Sequence, residues 1–506
     1  MTTPSTQENT PDLTKGVTLA DFGTHRMLRG FVGKKQVLLA RLGEEVVAIG
    51  NQCTHYGGRL DRGAIEGETV RCPLHHALFS LRSGEALGAP AFDPVAVWRV
   101  DLEGNRFVVR EQIDPQPEPE QTNAADHPQR IIIVGGGAAG FAAAEMLRRR
   151  GYQGKLTMFS SEASAPIDRP NLSKDYLAGT AKEAWMPLRG ESWYAEVKID
   201  LHLASPVARI DADLREVITE DGARHGYDRL LLATGAEPVH LPIPGADLPH
   251  VHTLRAIADA RAIITRAEGA KTAVVLGSGF IGLETAAALT KRGLAVQVVS
   301  LDARPLERIL GAELGDAIKA RHEVAGTVFH MGNSIATIAA DRVVLADGTD
   351  LPADLVILGV GVRPRLALAE AAGLTLDHGV VVSDRLQTSI PDIYAAGDIA
   401  RWPWKGDMVR IEHWVVATRQ GQIAAENMLG ADKPYRDVPF FWSAHHDLRL
   451  QYVGHAQTWD EIAIDGDIAA ADAMISYRQA GRTLAVATVG RPQMALAQAR
   501  AMFGAV

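Results

Sequence analysis

Short apolar runs separated by turn residues open the chain. Val37-Leu38-Leu39-Ala40 and Glu45-Val46-Val47-Ala48-Ile49 lie between glycines and charges, and Arg106-Phe107-Val108-Val109 closes the series. Runs of this length and spacing predict a small β-rich unit over residues 14–110. Residues 111–129 (EQIDPQPEPEQTNAADHPQ) hold four prolines and almost no bulky apolar side chain, so they predict an extended linker. From Arg130 the pattern changes. The apolar run 131–134 leads straight into Gly135-Gly136-Gly137-Ala138-Ala139-Gly140, and the helical stretch Ala142-Ala143-Ala144-Glu145-Met146-Leu147 follows. The same order returns at 272–276, Gly277-Ser278-Gly279-Phe280-Ile281-Gly282 and 284–289, with Gly277 lying 142 residues after Gly135. Residues 435–506 alternate in strand-like segments and predict a third, α+β domain.

A glycine triplet between a strand and a helix predicts a dinucleotide fold. The first glycine (Gly135, Gly277) permits the turn. The second (Gly137, Gly279) lets a pyrophosphate approach the backbone, and the third (Gly140, Gly282) allows close helix packing. The neighbouring Ala138 and Ile281 belong to the same expected contacts. In the first fold a second strand at 156–159 is followed by Glu162, placed where a carboxylate can accept adenosine ribose hydroxyls. In the second, the strand 296–299 leads into Ser300, where an NADH site would usually carry a carboxylate. Asp302 could take the ribose instead, and Arg304 could pair with a 2′-phosphate. The balance favours NADH, with use of both coenzymes open. Glu284, on the helix after the second triplet, could position the nicotinamide amide or simply lie on the helix surface.

Composition narrows the picture by exclusion. At 506 residues the chain should form several domains. The formal charge of −9 is spread with both signs mixed, and no basic block suggests nucleic acid. Residues 2–11 are polar, without the basic start and apolar run of a signal peptide, and the expected location is cytoplasmic. No run of 18 or more apolar residues predicts a membrane span.

The two cysteines change the picture most. They are the only two in the chain, and each stands beside a histidine, in Cys53-Thr54-His55 and Cys72-Pro73-Leu74-His75, with sixteen residues between the motifs. Two thiolates and two imidazoles are the ligand set of a Rieske [2Fe–2S] cluster, with Cys53 and Cys72 on one iron and His55 and His75 on the other. Neutral imidazoles raise the potential of such centres to about −150 to +300 mV. A Cys2His2 zinc site is the competing reading, although C-x-H is tighter than the usual zinc knuckle. Gly57, Gly58 and Pro73 suit tight loops around the cluster. No His/His/Asp set is placed to bind a mononuclear iron. With both cysteines used, no redox disulfide remains.

The flanks of these motifs, CTHYGG and CPLHHALFSLRSGEALGAPAFDPVAVW, resemble a Rieske domain. His76 departs from that pattern, which usually has glycine after the second histidine. The region from about 130 to 506 resembles the FAD-containing, pyridine nucleotide-dependent reductases. It is similar to the ferredoxin reductases of aromatic dioxygenase systems and to apoptosis-inducing-factor-like proteins. Asp168-Arg169-Pro170-Asn171-Leu172-Ser173-Lys174, Leu232-Ala233-Thr234-Gly235, Ile393-Tyr394-Ala395-Ala396-Gly397-Asp398, Glu412-His413-Trp414 and Phe440-Phe441-Trp442-Ser443 carry the resemblance. The whole chain resembles the Rieske-fused, apoptosis-inducing-factor-like branch.

The resemblance implies an FAD-binding domain over 130–253 and 384–434, an NAD(P)H-binding domain over 254–383 and a C-terminal α+β interface domain over 435–506. It implies that Gly135, Gly137, Gly140 and Glu162 hold the adenosine half of FAD, that Arg169 and Lys174 lie beside the isoalloxazine, that Asp398 binds a ribityl hydroxyl and that Trp414 packs near the flavin pyrimidine. Thr234, Gly235, Gly361, Gly397, Glu412 and His413 are further expected cofactor contacts, and Lys174, Arg169 and Glu284 are the expected catalytic groups. Phe440, Phe441 and Trp442 are expected on a docking or dimer surface. The implied activity takes hydride from NAD(P)H onto FAD and passes single electrons through the cluster to a ferredoxin, cytochrome or oxygenase component. Reduction of a small acceptor such as a quinone or dioxygen, slow-turnover NAD(P)H sensing, and partner binding without electron transfer stay open. A homodimer is compatible with the pattern.

Overall fold

The computed structural model describes residues 10–114 and 128–504, so most of the linker 111–129 and the polar N-terminal tip lie outside the described residues. The chain divides into two compact units. One comprises the N-terminal region together with the C-terminal helix Pro492–Phe503, and the other comprises the region between them up to Arg491.

The first unit is built from two antiparallel sheets. One has Met27–Val32, Lys35–Leu42, Glu45–Gly50, Val97–Glu103 and Arg106–Ile113 in that order. The other has Ala64–Glu66, Thr69–Arg71, Leu78–Ser80 and Ala86–Gly88. The run Val37-Leu38-Leu39-Ala40 is apolar throughout because its strand is buried on both faces. Leu38 and Ala40 pack with Ile49, Phe79 and both cysteines, while Val37 and Leu39 pack with Leu13, Trp98 and Phe107. The last strand extends to Ile113, where Gln112 and Ile113 pair with Trp98 and Val97. Helix Pro492–Phe503 touches strand Ala64–Glu66 within this unit.

The second unit contains two five-stranded parallel sheets. The first has the order Ile199–His202, Lys155–Phe159, Arg130–Val134, Arg229–Leu232, Ile393–Ala395. The second has the order Val251–His252, Leu355–Leu358, Thr272–Leu276, Ala295–Ser300, Val328–Met331. In each, the strand bearing the glycine triplet is central, and its helix begins where the strand ends: Ala138–Arg149 in the first and Phe280–Lys291 in the second. Ligands of open parallel sheets bind at such carboxyl ends. Helix Trp414–Met428 packs against Ala138–Arg149 so closely that a Cβ on Gly421 would lie 2.2 Å from the Ala139 carbonyl oxygen. A third sheet, antiparallel, has the order Phe440–His445, Leu448–Gly454, Arg482–Val489, Asp472–Gln479, Glu461–Asp467. The architecture is therefore a small β domain, a two-fold α/β nucleotide-binding region and a distinct C-terminal α+β segment.

Candidate redox sites

The cysteine–histidine motifs lie on two loops of the first unit that repeat one hydrogen-bond pattern. Cys53 N–H donates to the Gly58 carbonyl (2.8 Å) and Gly57 N–H to the Cys53 carbonyl (2.9 Å). In the second loop Cys72 N–H donates to the Ala77 carbonyl (2.8 Å) and His76 N–H to the Cys72 carbonyl (3.2 Å). Gly57 therefore corresponds to His76, and both sit in the left-handed region, at φ 68° and 62°. Glycine adopts that conformation without cost, whereas histidine does not. The departure at His76 is thus a strained residue, buried behind the ligand loop. A Cβ on Gly58 would stand 2.8 Å from Cys72 Sγ, so the loop closes on the sulfur only because that position is bare.

The four candidate ligands converge as two pairs. Cys53 and Cys72 are buried and share a hydrogen bond between their sulfurs. That bond, with burial behind it, pushes the Cys53 thiol up. Two thiolates can coexist there only against a strong positive charge. His55 Nδ1 and His75 Nδ1 face each other at 3.1 Å. Burial lowers His55 to about 3, which keeps it a neutral, ligand-competent imidazole. Among the described residues no three His, Cys, Asp or Glu side chains gather closely enough to hold one ion. A sulfur pair and a nitrogen pair are the division that two irons need and a single tetrahedral zinc does not. Tyr56 stacks on His55 (centroids 3.9 Å apart), and Tyr56 and Leu74 are exposed beside the pair.

The second unit holds a cavity of about 1320 Å³ lined by both glycine turns. The turns are alike in detail. A Cβ on Gly135 would meet the Ala233 carbonyl oxygen at 2.1 Å, and one on Gly140 the Gly135 carbonyl oxygen at 1.9 Å. On Gly277 and Gly282 the corresponding distances are 2.3 Å to Gly359 and 2.2 Å to Gly277. The middle glycines differ. Nothing lies within 4 Å of a Cβ on Gly279, and only the Arg169 guanidinium, at 3.8 Å, on Gly137. First and third glycines are bare because backbone crowds them, while the middle ones face the cavity. No side chain caps either helix, so the amides at Ala138 and Ile281 present an unspent N-terminal anion site. Both cradles fit a pyrophosphate.

Most other candidate residues line the same cavity: Glu162, Arg169, Lys174, Thr234, Gly235, Glu284, Gly361, Gly397, Asp398, Glu412, His413 and Trp414. Glu284 is only 3% exposed, which excludes the helix-surface reading. Its carboxylate takes an ion pair from Lys174 Nζ (2.7 Å) and hydrogen bonds from Ser173 Oγ and Ser443 Oγ (both 2.6 Å). Asp398 pairs with Arg255 at 2.7 Å, and Glu412 pairs with Arg410. Gly397 N–H donates to Gln420 Oε1 (2.8 Å), and Thr234 Oγ1 to the Arg365 carbonyl (3.0 Å). The His413 ring packs at a tilt of 38° against Phe441 (centroids 4.3 Å apart), and burial lowers it to about 4.

Several placements differ from the sequence expectations. Arg169 is ion-paired with Glu162 and lies beside Gly137, at the first glycine turn; its charged neighbours are Glu162, Arg255 and Asp398. Arg169 thus stands with the carboxylate expected at the ribose, whereas Lys174 stands with Glu284. Ser300 is buried and exchanges a 2.8 Å hydrogen bond with Ser278, so it turns into the fold. Asp302 and Arg304 do not line the cavity. Arg304 is committed to Asp316 (3.0 Å) and Glu307 (3.1 Å), and Asp302 pairs with Arg308 (2.9 Å). Gly140, Gly277 and Gly282 act in packing, behind the lining. Phe440 and Phe441 are 2% and 8% exposed, so neither offers a docking surface; Phe441 and Trp442 close a cavity wall instead. The sequence reading missed Arg255, Arg308 and Arg410, because an isolated arginine carries no local motif.

The chain matches three family models: Rieske [2Fe-2S] domain over residues 17–99, pyridine nucleotide-disulphide oxidoreductase over 129–421 and reductase C-terminal over 440–505. It is 31% identical over 478 residues to apoptosis-inducing factor 3 of Mus musculus, covering 90% of this chain and 78% of that protein. It is 36% identical over 370 residues to rhodocoxin reductase of Rhodococcus erythropolis, covering 72% of this chain and 87% of that protein. Among solved structures it is similar to the reductase of the covalent putidaredoxin reductase–putidaredoxin complex, with a TM-score of 0.71 and 35% identity over 75% of this chain and 94% of that one.

Proposed function

The chain belongs to the pyridine nucleotide-disulphide oxidoreductase family and carries a Rieske domain, and from that premise we propose that it delivers electrons from NAD(P)H, through FAD and its Rieske cluster, to a small one-electron acceptor protein. The observation that carries this is one cavity lined by two glycine cradles of matching geometry, in a chain that also brings two cysteines and two histidines together as pairs. FAD, when bound, accepts a hydride and yields electrons singly. The chain's own disulfide chemistry is ruled out by composition, since both cysteines are on the Rieske loops.

The proposed roles follow the placements. Gly137, the amide of Ala138, Arg169 and Glu162 hold the pyrophosphate and ribose of FAD. Asp398, fixed by Arg255, and the Gly235, Gly397 and Trp414 backbone and ring complete that site. Gly279 and Ile281 take the coenzyme. Lys174 presents positive charge at the reacting end and Glu284 holds it there. Cys53 and Cys72 ligate one iron, His55 and His75 the other. The domain limits expected from the sequence, 14–110, 130–253 with 384–434, 254–383 and 435–506, are part of this proposal, although the last strand of the first unit runs on to Ile113 and helix Pro492–Phe503 groups with that unit. NADH is the preferred coenzyme, supported by Arg304 being spent on Asp316 and Glu307 and by Asp302 neutralising Arg308. The protein acceptor is supported by likeness to a reductase solved in complex with putidaredoxin. No helix among the described residues is long and apolar enough to cross a membrane. We place the protein in the cytoplasm on the ground that its reductant is NAD(P)H and its thiols are kept for iron.

The test is His75→Ala. Reduction of a dye by NADH should persist within about twofold, while reduction of a protein acceptor is lost. Loss of both in a folded, FAD-loaded variant would contradict the division of labour.

A further inference from the structure

We infer that Ser443 is a positioning residue for hydride transfer: backed by His445, it fixes the Glu284 carboxylate and, through it, the direction in which Lys174 presents its charge to the cavity. The inference rests on the proposed role of Lys174, and it gives the C-terminal sheet a part in the reacting site. Lys174 cannot hold a direction alone. Its ammonium ends a flexible four-carbon stem and carries three donors. Two are spent inside the protein, on the Pro170 carbonyl (3.2 Å) and on Glu284 Oε2 (2.7 Å). Tetrahedral geometry then sets where the third N–H points, and Lys174 lines the cavity. Glu284 Oε2 is therefore one of the two points that aim the lysine.

That oxygen needs fixing in its turn, because the last torsion of a glutamate side chain is broad. Ser173 Oγ donates to the same Oε2 (2.6 Å), but Ser173 and Lys174 are neighbours in the chain and share one segment. Ser443 donates to the other oxygen, Oε1 (2.6 Å), from the C-terminal sheet, and among the described residues it is the sole hydrogen-bond partner of that oxygen. The fold brings it there by register. Strand Phe440–His445 packs on helix Phe280–Lys291, with Phe441 against Phe280 (ring centroids 4.8 Å apart) and Ser443 against Glu284. Two strand residues rise about 6.6 Å and four helix residues about 6 Å, so the two contacts repeat in step. His445 is next on the same face of the strand, with Nε2 3.2 Å from Ser443 Oγ. Ser443, Glu284 and His445 are 2%, 3% and 0% exposed, so bulk water does not compete for these bonds.

The carboxylate sets the polarity of the row. Glu284 is ion-paired with Lys174 and accepts, so Ser443 spends its one proton on Oε1. The serine oxygen then accepts from His445 Nε2–H. Burial lowers His445 to about 3, with Lys174 and His446 adding to the effect, so the ring is neutral and its single proton sits on Nε2. His445 Nδ1 is left to accept from His322 Nε2 at 3.4 Å. Each bond in the row points its hydrogen toward Glu284. Hydrogen bonds of that sense favour the charged carboxylate, the form that holds the lysine.

The test is a double-mutant cycle read by anaerobic stopped-flow, with flavin bleaching followed as the FAD-loaded holoenzyme is mixed with NADH. Ser443→Ala should lower the limiting rate on the order of tenfold, the scale of one hydrogen bond to a charged group. The NADH concentration giving half that rate should stay within about twofold, and Ser443→Thr, which keeps the hydroxyl, should recover the rate. Lys174→Met should lower it on the order of 10²-fold, and adding Ser443→Ala to Lys174→Met should change nothing further. A wild-type limiting rate in Ser443→Ala, or an equal slowing by Ser443→Ala with and without Lys174, would overturn the positioning role. A wild-type rate in Lys174→Met would instead contradict the role proposed for the lysine, so the two failures are distinguishable. Independently of turnover, ¹⁵N shifts of His445 in the resting protein should report the Nε2–H tautomer; Nδ1–H would contradict its backing of Ser443.

Discussion

The cysteine loops and the glycine turns solve the same steric problem, close approach to a bulky charged group, by opposite means. The loops commit side chains: two sulfurs and two imidazoles, each irreplaceable, held by one backbone pattern repeated twice. The turns delete side chains, leaving amides of uncapped helices to face the cavity at Gly137 and Gly279. A site made of ligands should fail all at once. A site made of backbone should fail in grades, according to whether a new Cβ meets the ligand or the fold.

The largest expected effect tests the first half of that contrast. Cys72→Ser should abolish the Rieske EPR signal and the bound iron, while the flavin spectrum and its bleaching by NADH remain. Parallel loss of FAD would mean that the two sites are not independent. Next come two substitutions one turn apart. Gly282→Ala places a Cβ 2.2 Å from the Gly277 carbonyl oxygen and should destabilise the second nucleotide fold by several kcal/mol, about the range of overpacked cores. Gly279→Ala meets nothing within 4 Å, so thermal stability should hold while KM for the coenzyme rises on the order of tenfold. Equal destabilisation in both would erase the distinction between crowded and open glycines.

Acid sharpens the comparison further. His413, His445 and His322 in the second unit are lowered to about 4, 3 and 2 by burial. Their folded values lie below the unfolded one, so the unfolded chain binds more protons. Stability is therefore full above the unfolded value and falls as pH drops below about 6.5, by up to about 1.4 kcal/mol per pH unit for each ring. Chemical denaturation from pH 7 to 5 should show that slope, and replacing His322 with Gln should reduce it. The smallest effect concerns the left-handed position, which is Gly57 in one loop and His76 in the other. His76→Gly removes a left-handed histidine and should stabilise the cluster loop by about 1 kcal/mol, read as slower thermal loss of cluster absorbance. A destabilised variant would mean that the buried ring contributes more than its backbone costs.

What was legible in the sequence was local. The glycine triplets and the C-x-H and C-x2-H spacings fix their neighbours within a few residues, and the structure places them at the turns and loops those spacings require. Pairings across long separations were not legible. Glu284, Ser443, His445 and His322 meet only because a C-terminal strand lies against the helix of the second nucleotide fold. Arg169 likewise turns to Glu162 through a contact no local pattern encodes. Ser300 reads as a coenzyme contact by position, yet Ser278 claims its hydroxyl. Phe440 and Phe441 read as surface aromatics, but their strand is covered on both faces, and period-two alternation vanishes in such strands.

The central claim is that hydride electrons collected in the large cavity reach the paired cysteine–histidine centre. Anaerobic titration of the holoenzyme with NADH, following flavin absorbance and EPR together, tests it most directly. Bleaching of the flavin with growth of a Rieske signal, of which Cys72→Ser shows only the bleaching, is the predicted result. A fully reduced flavin beside a cluster that stays oxidised would contradict it.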